Sequence, residues 1–170
     1  MCIRDRLADD PSMTARVNGD ELATTRVIID SNLSMKESSK MLSLPGHTII
    51  MTTCDEEDEI SRLQNAGAEV IDVPAKNGSV DLEAVLDELG KEEYNEVMLE
   101  TGATLSGAML QAGLIDEMII YMAPTLMGSD ARPLFRLPGI DSMEDKIELD
   151  ISDVRSFGKD IRIIAKPVMQ

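Results

Sequence analysis

Cysteine and histidine are scarce in this sequence, because its 170 residues include only Cys2, Cys54 and His47. Disulfide scaffolds of secreted proteins use more cysteines at regular spacings, and a structural zinc ion takes four Cys or His ligands. The His-x-Glu and Pro-Cys-x-x-Cys motifs of a zinc deaminase do not occur either. We therefore expect no bound metal and interpret His47 as a structural residue.

Long apolar runs and aromatic residues are also missing. No stretch approaches the ~20 apolar residues that a membrane-spanning helix needs, and the short, charged start at residues 1–6 is unlike a signal peptide. These absences favour a cytoplasmic protein without a membrane partner. Aromatics make up 2% of the residues, so the core has to be built from Leu, Ile, Val and the 12 methionines.

Positive charge is in short supply, because 16 Lys and Arg stand against 32 Asp and Glu, and the net charge is −16. A negative field of this size repels nucleic acid and anionic membranes, so we expect neither as a partner. It would also repel phosphorylated small molecules, except where a few arginines and backbone N–H groups are concentrated. We interpret most of the charge as a solvated acidic surface.

Strand-like and helix-like segments alternate along the chain. Short β-branched runs predict strands, apolar residues at helical spacing predict helices, and Asp81 and Gly67 suit helix ends. The predicted strands are residues 26–30, 47–53, 69–73, 96–100 and 117–123, and the predicted helices are residues 56–67, 81–90 and 105–112. Residues 146–155 and 160–166 predict a closing antiparallel hairpin. This order is typical of a three-layer α/β/α fold with a mostly parallel, mixed sheet.

A glycine-rich stretch after the strand predicted at residues 96–100 is the most informative candidate site. Its sequence, Leu99-Glu-Thr-Gly-Ala-Thr-Leu-Ser-Gly-Ala108, leads from a strand into a helix, where open α/β sheets bind ligands. Glycines let a ligand approach the backbone, and the amino end of a helix presents N–H groups to an anion such as phosphate. By its glycines alone, an ordinary strand-to-helix turn is the better interpretation. Glu100 is equally well explained as an exposed charge at a strand end.

Two further segments are weaker candidates. Arg16 follows an Asp-Asp-Pro turn, and one guanidinium can hold a phosphate through two hydrogen bonds. A surface arginine is the simpler explanation of that pattern. Ser31 follows the strand predicted at residues 26–30, where its hydroxyl could meet a phosphate or a ribose. Capping of the turn by Asp30 or Ser31 is the simpler explanation there.

Taken together, these segments resemble 5-amino-6-(5-phosphoribosylamino)uracil reductase, the reductase half of the bifunctional deaminase–reductase of riboflavin biosynthesis. The similarity is carried by Leu7-Ala-Asp-Asp-Pro-Ser-Met-Thr-Ala-Arg16, Val27-Ile-Ile-Asp-Ser31 and Glu100-Thr-Gly-Ala-Thr-Leu-Ser-Gly-Ala108. It continues in Leu114-Ile-Asp-Glu117, Tyr121-Met-Ala-Pro124, Gly128-Ser-Asp-Ala-Arg-Pro133 and Gly158-Lys-Asp-Ile161. The likeness runs from Leu7 to the end of the chain, and the order and spacing of the pieces are specific.

The resemblance implies a dihydrofolate-reductase-like fold and an NADPH-dependent reduction of the ribosylamine of a phosphorylated pyrimidine to a ribitylamine. It places the substrate at Met13, Arg16 and Glu100, with Arg16 on the phosphate and Met13 where the family usually has Leu. It identifies no general acid, so we expect Asp9 and Glu100 to position the reactants while water gives the proton. A homo-oligomer is also expected from the family. The resemblance assigns nine residues to the cofactor site: Asp9, Ser31, Gly102, Ala103, Thr104, Leu105, Ser106, Gly107 and Ala108.

The chain departs from the family pattern at its start. Residues 1–6 have no counterpart, and we expect them to be a non-native extension of a reductase domain at residues 7–170. The family's first reductase strand and the zinc deaminase half, which the complete protein could carry upstream, are not found in the sequence. We therefore expect the chain as written to be poorly stable and inactive.

Two alternatives remain at this point. One is a nucleotide-binding or dimerisation fragment without catalysis, which the missing first strand favours. The other is a dihydrofolate-reductase-like reductase of a different substrate. Arg16 and Glu100 argue against the second alternative, because a free pterin has no ribose phosphate to hold.

Overall fold

The computed structural model of the protein describes residues 10–168, apart from the side chain of Val17. The chain forms two compact units that divide between Thr101 and Gly102. Both units contain helices and strands, which confirms the α/β class. Within residues 10–168, every helix is too short or too polar to span a bilayer.

The first unit is built on a parallel sheet in the order β3, β4, β5, formed by β3 (Arg26–Ile29), β4 (Thr48–Thr52) and β5 (Glu69–Asp72). Two small antiparallel hairpins accompany it: β1 (Ala15–Val17) with β2 (Asp20–Leu22), and β6 (Ala75–Lys76) with β7 (Ser79–Val80). The helices of this unit are α1 (Lys40–Ser43), α2 (Glu57–Asn65) and α3 (Leu82–Lys91).

The middle strand, β4, is buried along its whole length. Because side chains alternate across a strand, its residues enter two separate cores. Ile50 belongs to the same apolar cluster as Leu63 of α2. Ile49 and Met51 belong to a second cluster, with Val85 of α3. The first unit is therefore the expected three-layer arrangement of helix, sheet and helix.

Helix α3 begins as its sequence predicts. Asp81 is the N-cap, and its Oδ1 accepts a hydrogen bond from the backbone N–H of Glu83 at 3.1 Å. At the end of α2, Gly67 has a φ of 100°, a left-handed conformation that favours glycine. Local signals therefore placed these two helix ends correctly.

The strand predicted at residues 96–100 does not form. Among residues 10–168 no strand pairs with this segment, and Val97 and Met98 are 49% and 78% exposed. A strand exists only when its backbone N–H and C=O groups pair with a neighbour. An apolar, β-branched pattern indicates the tendency to be extended, but it cannot provide that neighbour. The sequence analysis also did not predict α1 or the two small hairpins.

The second unit contains one helix and an antiparallel sheet. The helix is α4 (Ala103–Gln111), and the sheet has the order β8 (Met118–Met122), β10 (Asp160–Val168), β9 (Glu148–Phe157). β9 and β10 form the predicted closing hairpin. Arg162 donates a hydrogen bond to Asp153 at 2.8 Å across this hairpin. That bond is the main cause that lowers the pKa of Asp153, and Arg155 adds to the effect.

The backbone near Arg136 crosses closely over α4. Arg136 N donates to the carbonyl oxygen of Ala103 at 2.8 Å, and the Gln111 amide donates to the carbonyl oxygen of Pro138 at 2.8 Å. A Cβ atom on Gly107 would lie 2.0 Å from the carbonyl oxygen of Arg136. This approach leaves no room for a side chain, so glycine is required at position 107 by packing alone.

We expect Gly107→Ala to lower the free energy of unfolding by about 1–3 kcal/mol, because its methyl group overpacks a contact with backbone that cannot move aside. Urea denaturation measures the change. Gly90→Ala is the matched control, since Gly90 lies within α3 and has open space where a Cβ would stand. Alanine there should raise the free energy of unfolding by roughly 0.5–1 kcal/mol. Equal effects of the two changes would contradict the packing argument.

Candidate functional site

The carboxyl ends of β3, β4 and β5 lie at one edge of the parallel sheet, which is where open α/β sheets bind ligands. Ser31, two residues after the end of β3, is the meeting point of three elements at this edge. Thr53, just after β4, donates a hydrogen bond from Oγ1 to the carbonyl oxygen of Ser31 at 3.3 Å. Val80 of β7 donates from its backbone N–H to Ser31 Oγ at 3.3 Å.

The contact with Val80 gives the Ser31 hydroxyl a direction. The Val80 N–H occupies an acceptor position of Ser31 Oγ, so the hydroxyl proton of Ser31 can be donated to a ligand oxygen. A donor of this kind suits a ribose hydroxyl or a phosphate. Ser31 and Val80 are 49 residues apart in the chain, so nothing in the local sequence around Ser31 could have predicted this contact.

The hairpin that carries Val80 is linked to α3 by a charged pair. Lys76 of β6 donates a hydrogen bond to Glu83 Oε2 at 2.9 Å. This hydrogen bond, followed by the attraction of the Glu83 charge, raises the pKa of Lys76 above its ordinary value. Lys76 is thus held by an exposed ion pair on the hairpin that follows β5.

Asp30 organises the loop after β3 from the inside. Its carboxylate is buried, with 2% of the residue exposed. Oδ2 accepts a hydrogen bond from Met35 N at 2.9 Å, and Oδ1 accepts from Asn32 N at 3.3 Å and from Ser34 Oγ at 3.2 Å. The turn is therefore capped by Asp30, and Ser31 is the residue of this pair that can meet a ligand.

Arg62 of α2 holds the same loop from the other side. Its guanidinium donates to the carbonyl oxygens of Leu33 at 2.9 Å and Met35 at 3.0 Å. Glu59, one turn earlier on α2, accepts from Arg62 Nε at 2.9 Å and keeps the guanidinium in place. Sequence reasoning missed Arg62, because an arginine on a helix carries no signal of which distant carbonyls it meets.

The segment assigned to the substrate by resemblance is also held at several points. Met13 lies in it with a φ of 46°, in the left-handed region. Its carbonyl oxygen accepts a hydrogen bond from Thr24 Oγ1 at 3.0 Å, and Arg26 Nε donates to the carbonyl oxygen of Ser12 at 3.1 Å. Arg26 was also missed, although a charged residue that opens a buried apolar strand is a signal that could have identified it.

Arg16 projects from β1, and its side chain is 64% exposed. It is paired in the hairpin register with Glu21 of β2, and its Nη2 and Nε donate to Glu21 Oε1 at 3.0 and 3.2 Å. Glu100 lies exposed in the unpaired segment before α4. Asp9, which the resemblance assigns to the cofactor, lies outside the described residues.

The predicted glycine-rich site lies at the amino end of α4, in the second unit. Gly102 is the N-cap, no side chain of residues 10–168 caps the helix, and its first turn contains no acidic residue. The backbone N–H groups of Ala103, Thr104 and Leu105 are therefore available in the way that suits an anion. Ser106, Gly107 and Ala108 continue the helix beyond its first turn.

The chemistry of these groups is that of hydrogen-bond donation. Among residues 10–168, no group of three or more His, Cys, Asp and Glu side chains is placed to hold a metal ion. The predicted residues instead provide a hydroxyl at Ser31, a guanidinium at Arg16 and helix amides after Gly102. Such donors bind ligands rich in hydroxyl and phosphate oxygens. In transfers between two bound molecules, orientation is the main contribution of a protein.

Comparison with known proteins identifies one family. Residues 5–163 match the RibD C-terminal domain. The riboflavin biosynthesis protein RibD of Escherichia coli (strain K12) is 35% identical over 167 residues, which cover 91% of this chain and 44% of that protein. The 5-amino-6-(5-phosphoribosylamino)uracil reductase of Buchnera aphidicola subsp. Acyrthosiphon pisum (strain APS) is 30% identical over 142 residues, which cover 84% of this chain and 67% of that protein.

A solved structure gives the same result for the fold. RibD of Acinetobacter baumannii (form 2) matches 98% of this chain with a TM-score of 0.81 and 31% sequence identity. This similarity confirms the dihydrofolate-reductase-like α/β fold that the resemblance implied. The chain covers 45% of that structure, so it spans less than half the length of both RibD relatives.

We expect Asp30→Asn to lower the free energy of unfolding by about 1.5–3 kcal/mol. Both carboxylate oxygens of Asp30 accept hydrogen bonds, whereas the asparagine amide has one acceptor oxygen and an NH2 group that only donates. Urea denaturation measures this loss. Asp72→Asn is the matched control, since Asp72 also ends a strand of the sheet but is exposed. The control should change stability by less than about 0.5 kcal/mol. A harmless Asp30→Asn would show that the loop does not depend on this carboxylate.

Proposed function

Because this chain belongs to the RibD C-terminal domain family, we propose that it is the reductase part of a riboflavin-biosynthesis enzyme. The proposed reaction is the NADPH-dependent reduction of 5-amino-6-(5-phosphoribosylamino)uracil to its 5-phosphoribitylamino form. The observation that carries the proposal is the amino end of α4, which lacks a side-chain cap and directly follows Glu100 and Thr101. The name of the Buchnera relative supports the choice of substrate.

The donors of each unit, taken separately, have the chemistry that an anionic dinucleotide needs. When bound, NADPH supplies the hydride, which goes to C1′ of the opened sugar. The first-turn N–H groups of α4 would bind a phosphate, and Ser31 Oγ would donate to a ribose or phosphate oxygen. These groups are neutral dipoles, so they attract an anion locally although the protein carries a net charge of −16.

Arg16 is the group we assign to the substrate phosphate. Its guanidinium is held by Glu21 in an exposed ion pair, and such pairs contribute only ~0.2–1 kcal/mol. A phosphate can therefore replace Glu21 at little cost and form two charge-assisted hydrogen bonds with the same fork.

The remaining roles concern positioning. We assign Glu100 to the substrate, because its carboxylate can accept hydrogen bonds from the substrate hydroxyls. We assign Asp9 to the cofactor. Neither has to transfer a proton, because a proton from water completes the reduction after hydride reaches C1′. Met13 would contact the substrate through a side chain that packs partly into the core of the first unit.

The proposal extends to the protein context of the reductase. Since the chain corresponds to 44% of the length of Escherichia coli RibD, we propose that a zinc deaminase domain precedes it in the complete gene product. We further propose a homo-oligomer, as expected from the family, and a cytoplasmic location. These parts of the proposal are independent of the site residues.

The complete gene product should oxidise NADPH when the aminouracil ribosyl phosphate is added, measured by the loss of NADPH absorbance. Asp9→Asn and Glu100→Gln should each lower turnover by about tenfold or more, because misplaced reactants react slowly. Unchanged turnover in both variants would refute their positioning roles. Reduction of a free pterin in place of the phosphorylated uracil would favour the other reductase assignment.

We expect Glu21→Gln to lower the KM for the phosphorylated substrate by no more than about fivefold, since it removes a competitor worth roughly 1 kcal/mol at most. Arg16→Ala should raise the same KM by about tenfold or more. Glu148→Gln is the matched control, because Glu148 forms a similarly exposed ion pair with Lys146 at 2.7 Å on β9. A rise in KM with Glu21→Gln would show that Glu21 assists the phosphate and does not compete with it.

A further inference from the structure

Arg26 is a buried arginine whose hydrogen-bond partners are neutral. Only 1% of the residue is exposed. Its guanidinium donates to the carbonyl oxygens of Ser12 at 3.1 Å and Met41 at 3.2 Å, to the carbonyl oxygen of Pro45, and to Thr48 Oγ1 at 3.2 Å. A buried cation is costly, and these acceptors offset the cost by using its N–H groups. One side chain thereby joins four separate places in the chain.

Arg62 forms a similar set of hydrogen bonds in the loop that follows β3. Two of its hydrogen bonds go to backbone carbonyls, those of Leu33 and Met35. Glu59 is an additional partner and balances the charge. Both arginines thus bind several backbone carbonyls, and a planar fork of five donors spans more separated acceptors than the three donors of one ammonium nitrogen.

Each arginine acts next to a strained residue. Arg26 binds the carbonyl of Ser12, which precedes Met13 at a φ of 46°, and Arg62 binds the carbonyl of Leu33, which has a φ of 50°. Residues other than glycine adopt this left-handed conformation only at an energetic cost, and they keep it only where the surroundings hold it. The two arginines provide that hold.

We propose that Arg26 and Arg62 are positioning residues with separate tasks. Arg26 holds the segment of Ser12 and Met13 that leads to Arg16, on the substrate side. Arg62 holds the loop that starts at Ser31, on the cofactor side. This inference rests on the proposed function for the identity of the two ligands, but the hold on each loop is a property of the fold.

The test is a pair of substitutions in the complete gene product. Arg26→Lys should raise the KM for the aminouracil ribosyl phosphate by about tenfold and change the KM for NADPH by less than about twofold. Arg62→Lys should raise the KM for NADPH by about tenfold and change the KM for the aminouracil ribosyl phosphate by less than about twofold. Arg155→Lys is the matched control, because Arg155 is an exposed arginine paired with Asp153 on β9, and it should change neither KM.

A second variant covers the case in which Arg26→Lys fails to fold. Thr24→Val removes the hydrogen bond to the carbonyl of Met13 and nearly preserves the side-chain volume. It should shift the same substrate KM in the same direction. If the Arg26 and Arg62 variants raise both KM values equally, or if neither raises any, the division of tasks is wrong.

Backbone hydrogen exchange separates this inference from the proposed function. Arg26→Lys should speed exchange of the amides at residues 13–16, and Arg62→Lys should speed exchange at residues 32–35, with or without any ligand. If the wild-type protein did not oxidise NADPH but these changes appeared, the proposed function would fail and the loop restraint would stand. Unchanged exchange in both variants would overturn the restraint itself.

Discussion

Burial of β4 between two parallel neighbours is the constraint on which the first unit depends. A strand covered on both faces is mainly apolar, and the alternating side chains of Ile49, Ile50 and Met51 fill two cores at once. Parallel pairing then requires that β3, β4 and β5 all end at the same edge. Ser31 and Thr53 are neighbours there because of this geometry, although 22 residues separate them in the chain.

Loops at both ends of the sheet are held by polar groups, not by apolar packing alone. Asp30 and Arg62 bind the loop after β3 from its two sides. At the amino ends of the strands, Arg26 ties the segment at Ser12 to β4 and to α1. Under the proposed function, an acidic protein has to bind an anionic cofactor. The first-turn amides of α4 and the hydroxyl of Ser31 are fixed dipoles, and a fixed dipole attracts a phosphate at short range even within a negative field.

In the second unit, close packing stabilises α4, and charge pairing stabilises the β9–β10 hairpin. Gly107 is required because the backbone of Arg136 passes where a side chain would stand. The β9–β10 hairpin carries a pair between Asp153 and Arg162, and the Arg162 guanidinium also lies 5.2 Å from the centre of the Phe157 ring. The glycine-rich motif therefore combines two demands: glycine at 107 serves packing, and the turn at Gly102 leaves the helix amides open.

The sequence alone was sufficient for the α/β class, the strands β3, β4 and β5, the Asp81 cap and the closing hairpin, because each depends on short-range periodicity or on a single side chain next to a helix end. Of the strands predicted in a mostly parallel sheet, residues 118–122 pair instead in the antiparallel sheet of the second unit. Residue patterns made Ser31, Arg16 and the α4 turn candidates, and the family resemblance assigned their ligands. The failure of residues 96–100 to form a strand, the partnership of Arg16 with Glu21, and the roles of Arg26, Arg62 and Val80 became known only from the folded chain. Each of these rests on a backbone group or a side chain brought close by folding, and no local pattern records such a partner.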